Sequence, residues 1–264
     1  MDITQIILLL GAGFIGASLN AIVGGGAFVA FPALIFLGVP PIQANATMTV
    51  SLWPGTITSL WLQRKNLALY PKYLKIFIPL SLLGGGIGSI ILINMSNESL
   101  NIIVPYILLL ATMLFTFRKE FVDFITKLPI HPKKKALFFW LFLITAHLTI
   151  STYGGFFGAG MGIMLMAFLG LIGITNIHEA NAVRNCATAC INSVATFIFI
   201  ISNNIIWHDM IFMTIGAILG GYVCASYAKN IPLNHLRKIV IITAWVITIL
   251  FFLKYSRSSN DFPL

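Results

Sequence analysis

The sequence predicts an all-α polytopic membrane protein made of two inverted repeats of about five segments each, with helices broken at glycine clusters. Three observations carry the prediction. Hydrophobic residues make up 58% of the 264 and charged residues only 9%, against about 25% charged in a soluble domain, so there are too few charges to coat a globule. A single offset of 136 residues lays the first half of the chain over the second. Loops related by that offset carry opposite charge patterns.

Ten apolar segments follow one another, at 3–23, 27–38, 43–62, 74–94, 101–117, 136–153, 162–174, 183–203, 209–228 and 238–253. Most reach the ~20 residues that cross a hydrocarbon layer of ~30 Å. Residues 27–38 and 162–174 do not; as helix at 1.5 Å per residue they would span about 18–20 Å. Each is the second segment of its half, and each follows a glycine cluster. The first segment is preceded by Asp2 rather than a basic stretch and runs too long for a cleavable signal, so it is expected to remain as a helix.

The repeat rests on ungapped matches. "QANA" at Gln43–Ala46 falls on "EANA" at Glu179–Ala182, Gly24 on Gly160, Gly26 on Gly162, and Gly84 and Gly85 on Gly220 and Gly221. The expected division is a first transmembrane repeat over 1–118, a cytoplasmic linker over 119–135 and a second repeat over 136–264, together one integral membrane domain. The loop after the third segment holds Arg64, Lys65, Lys72 and Lys75, while its counterpart at 203–208 has no lysine or arginine. One loop further on the pattern reverses: 95–101 has none, and its counterpart holds Lys229, Arg237 and Lys238. Basic loops stay in the cytoplasm, so equivalent loops lie on opposite sides. An odd number of segments per half requires the same inversion. The N terminus is then expected outside; Lys254 and Arg257, in a tail placed outside by this scheme, run against it. Trp61, Trp140 and Trp207 fall at segment ends, where interfacial aromatics belong.

Composition also excludes functions. The net charge of +9 sits in short loops between apolar runs and not on one basic face, so no nucleic-acid partner is expected. The three cysteines, Cys186, Cys190 and Cys224, are odd in number and lie in apolar segments without zinc spacing. Neither a disulfide framework nor a metal is indicated, and no cofactor is expected.

The stretch "AIVGGGAFVAFPALIF" (Ala21 to Phe36) sets three glycines and a proline in an apolar run. Glycine costs a helix interior roughly 1 kcal/mol and proline about 3. Inverted repeats with interrupted helices are the usual build of secondary transporters. A break at membrane depth is tolerated only where it is packed in protein or lines a wet cavity. There it exposes N–H groups and the positive end of a half-helix dipole, which suit an anion, and glycine lets a ligand approach the main chain. Close helix packing through small residues is the competing reading, but it leaves unexplained why corresponding clusters precede both short segments.

The stretch "GASLNAIVGGGAFVAFPALIFLGVPPIQANATMTVSLWPGTITS" resembles the first signature of the TauE/SafE family of sulfite and organosulfur anion transporters, and "YGGFFGAGMGIMLMAFLGLIGITNIHEANAVRNCATACINSVAT" resembles its second. The resemblance covers nearly the whole chain. It implies an inner-membrane permease of sulfite, sulfonates or related carbon–sulfur anions. The second half departs from the first, with Met161 in the place of Gly25 and Phe168 in the place of Pro32, so a less open second break is expected.

The candidate substrate-binding residues are the break glycines Gly24, Gly25, Gly26, Gly158 and Gly160, the amides Asn20, Asn45, Asn181 and Asn185, Thr49, and Arg184. Thr47 is a further polar neighbour. Asn45 and Asn181 occupy the same slot in both halves. Arg184 falls on Met48, so only the second half carries this cation. Its planar fork fits oxyanions; in a ten-crossing scheme it is one more positive-inside residue, and a re-entrant 162–174 would carry it towards the midplane. Glu179 and His147 are candidates for proton coupling. Against this stand a helix-start carboxylate facing the cytoplasm and a packed core histidine. Glu179 and Arg184 are about 140° apart on a helix, which disfavours a salt bridge between them.

The function expected is a secondary transporter moving a small anion by alternating access, with proton coupling open. A passive anion channel is the alternative. An intramembrane enzyme is disfavoured, because "IHEAN" lacks the second histidine of H-E-x-x-H and the histidines are scattered. The partners expected are the anion and the lipid bilayer, with a homo-oligomer left open.

Overall fold

The computed structural model describes residues 2–22, 24–117, 120–121, 123–124, 136–174, 176–227 and 233–260. Most of the 119–135 linker and Lys229 lie outside the described residues, as do the side chains of Arg237, Lys254 and Arg257. Among the described residues, ten helices of ten residues or more make up the fold: α1 (Ile3–Ile22), α2 (Ala27–Phe36), α3 (Pro41–Leu67), α4 (Pro71–Ile93), α5 (Asn97–Thr116), α6 (Ala136–Phe156), α7 (Met161–Leu171), α8 (Ile177–Ile201), α9 (Trp207–Tyr227) and α10 (Leu233–Asn260).

Local chemistry sets these boundaries. Pro41 and Pro71 open α3 and α4 at the position where a missing N–H costs nothing. Ser96 and Asn176 cap α5 and α8 by accepting from the N–H groups of Ser99 and His178. Arg64 and Lys65 close the last turn of α3, where cations oppose the helix dipole; the helix therefore outruns the apolar segment that ends at 62. Five helices, α1, α4, α5, α8 and α9, are long and apolar enough to cross a membrane. Although 27 residues long, α3 spends its inner face on buried Asn45, Thr47, Ser51 and Ser59, which lowers its hydropathy. The short helices α2 and α7, of 10 and 11 residues, extend only about 15–17 Å.

Helix directions follow from the contacts. Ser51 and Ser59 on α3 donate to the carbonyls of Met210 and Gly221 on α9, at 3.3 and 3.2 Å, so the two run parallel. Gly13 lies against the Met213 carbonyl of α9, and Ser18 donates to Gly220 O at 3.1 Å, so α1 runs with α9 as well. On the other side α4 runs with α6 and α8, through Ser81 beside His147, Gly88 beside Thr152, Gly85 beside Ile191 and Gly86 beside Val194. Two pairs are antiparallel. Trp53 Nε1 donates to Ala189 O at 3.1 Å and Asn185 Nδ2 to Gln63 Oε1 at 3.2 Å, so α3 and α8 cross head to tail. Thr112 meets Thr248 at 3.0 Å, and Trp245 Nε1 donates to Thr116 Oγ1 at 3.0 Å, which does the same for α5 and α10.

Glycine permits these approaches. A Cβ on Gly85 would meet Ile191 O at 2.7 Å, and one on Gly221 would collide with Gly55 O. Such close backbone contact is how membrane helices associate when burial from water offers no drive between them. The outward faces carry Trp61, Phe197, Ile201 and Ile242, all exposed, an apolar surface suited to lipid.

Gly85→Ala and Gly221→Ala are each expected to lower stability by about 1–3 kcal/mol through overpacking. Gly11→Ala, inside α1 with nothing within 4 Å of the added atom, should be neutral or stabilising by up to about 1 kcal/mol. Thermal unfolding in detergent separates the two outcomes.

Candidate functional site

The two breaks meet at the centre of the protein. Gly24 takes φ +84°, and Gly158 and Gly160 each take φ +76°, a left-handed conformation that residues with a Cβ rarely adopt. A Cβ on Gly24 would lie 2.8 Å from the Cα of Gly162, and one on Gly162 would lie 2.7 Å from the Cα of Gly24. The turn before α2 thus rests directly on the first turn of α7. Gly25 and Gly26 are buried in that turn, with Gly26 as the N-cap of α2. Gly160 is the N-cap of α7 and packs on Ala111.

A break leaves the last carbonyls of one helix and the first N–H groups of the next without partners in their own helix. The carbonyl ends are met by side chains from across the molecule. Asn45 on α3, 1% exposed, donates to the Phe156 carbonyl at the end of α6 at 2.9 Å. Arg184 on α8, 2% exposed, spreads its guanidinium over the end of α1. Its Nη2 donates to Asn20 O at 2.8 Å and Ala21 O at 3.0 Å, and its Nη1 to Ile22 O at 3.5 Å. Asn185 steadies it, accepting from Nη2 at 2.9 Å. Tyr153 donates to Ala159 O inside the second break. Both negative helix ends are therefore covered by donors. The positive ends of α2 and α7 stay beside the crossing.

A cavity of about 30 Å³ lies there, lined by Asn20, Gly24, Thr49, Gly158, Thr188 and Asn192 together with Met48, Leu52, Phe157 and Met161. It has room for a water or two. A second, wider space of about 420 Å³, the vestibule, lies between the ends of α1, α3 and α9 and the start of α8, and Gln63, Lys65, His178 and Asn181 line it. Arg184 bonds to Asn20 on the first space and to Ala21 on the second, and Asn185 bonds to Gln63 on the second.

The structure brings Asn20, Gly24, Thr49 and Gly158 to the cavity and puts Asn181 on the vestibule. Thr47 accepts from Ile206 N at 3.0 Å, tying α3 to the start of α9. Glu179 lies on the first turn of α8, half-buried, and accepts from Asn176 Nδ2 at 3.1 Å and from Tyr70. That carboxylate raises the Tyr70 phenol above its ordinary range. His147 is buried away from the cavity. It stacks on Phe77 with ring centres 4.6 Å apart and meets Ser81 Oγ at 2.9 Å.

Thr188 and Asn192 are missing from the sequence reading. A signal for them exists: Asn181, Asn185, Thr188 and Asn192 are spaced by four, three and four residues, one face of a helix, and Asn45, Thr49, Leu52 and Thr56 repeat that spacing on α3. No group of three or more His, Cys, Asp or Glu placed to hold a metal occurs among the described residues.

A helical membrane protein with polar turns around a central cavity is built as membrane transporters are. The family model described as Sulfite exporter TauE/SafE matches residues 9–251, and the chain belongs to that family. It is 26% identical over 250 residues to a "Probable membrane transporter protein" of Haemophilus influenzae, covering 94% of each chain. It is 25% identical over 248 residues to the "Probable membrane transporter protein YfcA" of Escherichia coli, covering 91% of this chain and 88% of that one. A "Probable membrane transporter protein ORF9" of Sinorhizobium is 23% identical over 244 residues, at 90% and 88% coverage. No solved structure matches the chain.

Asn45→Ala would leave the Phe156 carbonyl buried without a donor, at a cost of about 1–3 kcal/mol. Asn45→Gln should lose less if its amide reaches the same oxygen. Guanidinium-free thermal melts of both variants, read by tryptophan fluorescence, test the cap.

Proposed function

We propose that this chain is a secondary transporter of a small anion, sulfite, a sulfonate or a related organosulfur anion, and that it works by alternating access in the bacterial inner membrane. The observation that carries the anion reading is the asymmetry of the breaks. Their carbonyl ends are covered by Asn45 and Arg184, while the amide ends of α2 and α7 adjoin the central cavity with Asn20, Thr49, Thr188 and Asn192. Partial positive charge at helix N-termini and neutral donors favour an oxyanion over a cation. The family description supplies the sulfur oxyanion as the first substrate to test.

Alternating access is read from two inverted repeats, α1–α5 and α6–α10, that rock about the cavity. Support comes from residues that pair with their own counterparts at a separation of 136, Trp53 with Ala189 and Thr112 with Thr248. Counterpart helices α3 and α8 run antiparallel, as do α5 and α10. The vestibule side, with Lys65, is assigned to the cytoplasm by the positive-inside rule, which leaves the N terminus outside. Glu179, bonded to Tyr70 and Asn176 at the start of α8, is the candidate for proton coupling; His147, away from the cavity, is the weaker one.

Counterflow in proteoliposomes tests the reading, with sulfite, thiosulfate, sulfoacetate, taurine and acetate as the panel and with or without a pH gradient. Saturable counterflow of one sulfur oxyanion is expected. Thr188→Val and Asn192→Leu should each raise KM about tenfold or more, the loss of one hydrogen bond to a charged ligand, at unchanged protein level. Flux without saturation or counterflow would instead mean a channel. No flux of any panel anion from folded, inserted protein would overturn the substrate assignment. Glu179→Gln should abolish stimulation by the pH gradient if that carboxylate carries the proton.

A further inference from the structure

Arg184 lines neither space itself, but it bonds to a lining residue of each. The carbonyl of Asn20, a lining residue of the central cavity, and that of Ala21, a lining residue of the vestibule, accept from the same Nη2 at 2.8 and 3.0 Å. Nη1 reaches the carbonyl of Ile22, also on the vestibule, and lies 3.5 Å from where a Cβ on Gly24 would stand on the cavity wall. Asn185 continues the wall. It accepts from the guanidinium at 2.9 Å and donates to Gln63 Oε1, on the vestibule rim, at 3.2 Å. The chain α1 carbonyls–Arg184–Asn185–Gln63 is a partition that links α1, α8 and α3.

The opposite break has no counterpart to this cation. The position equivalent to Arg184 is Met48, and the end of α6 is covered by the neutral amide of Asn45. A neutral seal offers an arriving anion no charge. A guanidinium bonded to carbonyls does, because an oxyanion is a stronger acceptor than a peptide oxygen and fits the same planar fork.

We propose that Arg184, with Asn185 and Gln63, is the gate between vestibule and cavity, and that it is opened by anions: an oxyanion arriving on either side takes over guanidinium donors from the α1 carbonyls and so releases α8 from α1. The gate selects against cations before the central residues are reached. On this view Arg184 is a positioning and gating residue whose ground-state partners include the α1 backbone oxygens and Asn185 Oδ1. The inference rests on the transporter reading given above.

Thiol labelling tests it without any transported substrate, so its result is independent of counterflow. In a background with Cys186, Cys190 and Cys224 replaced by serine, Thr188→Cys reports on the cavity and Asn66→Cys on the vestibule. Reporters are labelled in sealed vesicles of each orientation with an anionic and a cationic methanethiosulfonate of similar size. The face that labels Asn66→Cys is the vestibule face, and each rate at Thr188→Cys is divided by that at Asn66→Cys. With Arg184 present, the anionic reagent should reach Thr188→Cys about tenfold faster than the cationic one, a ratio set by charge-assisted bonds to the guanidinium. Arg184→Gln should bring the two rates together, chiefly by speeding the cationic reagent. Arg184→Lys should keep the preference for anions. Gln63→Ala, which retains the guanidinium, should speed both reagents and preserve their ratio; it serves if Arg184→Gln fails to fold. Equal normalised rates for the two reagents with Arg184 intact would overturn the proposal, as would an unchanged ratio in folded Arg184→Gln.

Discussion

A chain that breaks a helix inside a bilayer must find partners for the freed backbone groups within itself, because lipid offers none. The rest of this structure follows from how that demand is met at two places. Each broken carbonyl end is covered by a side chain from the long central helix of the other half: Asn45 reaches from α3 to the end of α6, and Arg184 from α8 to the end of α1. The caps therefore hold the halves together as well as satisfying the breaks. They also fix the sign of the cavity, since covering the carbonyls leaves the amide ends of α2 and α7 to set the local potential.

Close packing is the second consequence. A cap donor reaches a carbonyl only if the helices carrying them lie nearly in contact, and glycine makes that approach available. Gly85 against Ile191 and Gly221 against Gly55 are two such contacts, and they bring α3 and α8 into the core, where their polar stripes face each other. Serine and threonine then spend their hydroxyls locally, as Ser51 does on Thr47 O at 2.7 Å and Ser89 on Gly85 O at 2.9 Å. Such bonds make buried hydroxyls inexpensive.

Much of this architecture was legible in the sequence, for identifiable reasons. The helical class and the short second segments follow from composition and length alone, and α2 and α7 begin within a residue of their expected starts. Gly24, Gly158 and Gly160 take positive φ, a conformation that residues with a Cβ adopt rarely. The partners of the freed carbonyls were not legible. Nothing in the spacing of Arg184 indicates that its donors turn to the carbonyls of Asn20, Ala21 and Ile22, more than 160 residues away in the chain; that pairing exists only once α8 lies across the end of α1. Thr188 and Asn192 were accessible from the stripe that begins at Asn181, but a single threonine in an apolar helix carries no mark of what it faces. His147 shows the converse: a titratable residue at membrane depth that proves to be packed between Phe77 and Phe168.

Under the proposed inverted repeat, the pairing of residues 136 apart has a further consequence, for how the two halves differ. Where a position faces its duplicate, the two side chains must complement each other. Thr112 and Thr248 do so as identical residues, because a hydroxyl both gives and accepts a hydrogen bond. Trp53 and Ala189 do so only as unlike residues, one indole lying over a backbone carbonyl that a small neighbour leaves open. Two tryptophans would crowd that crossing, and two alanines would leave it without the bond. An assembly of two identical half-length chains could not form it on both sides at once, so joining the halves in one polypeptide is what permits this crossing to be asymmetric.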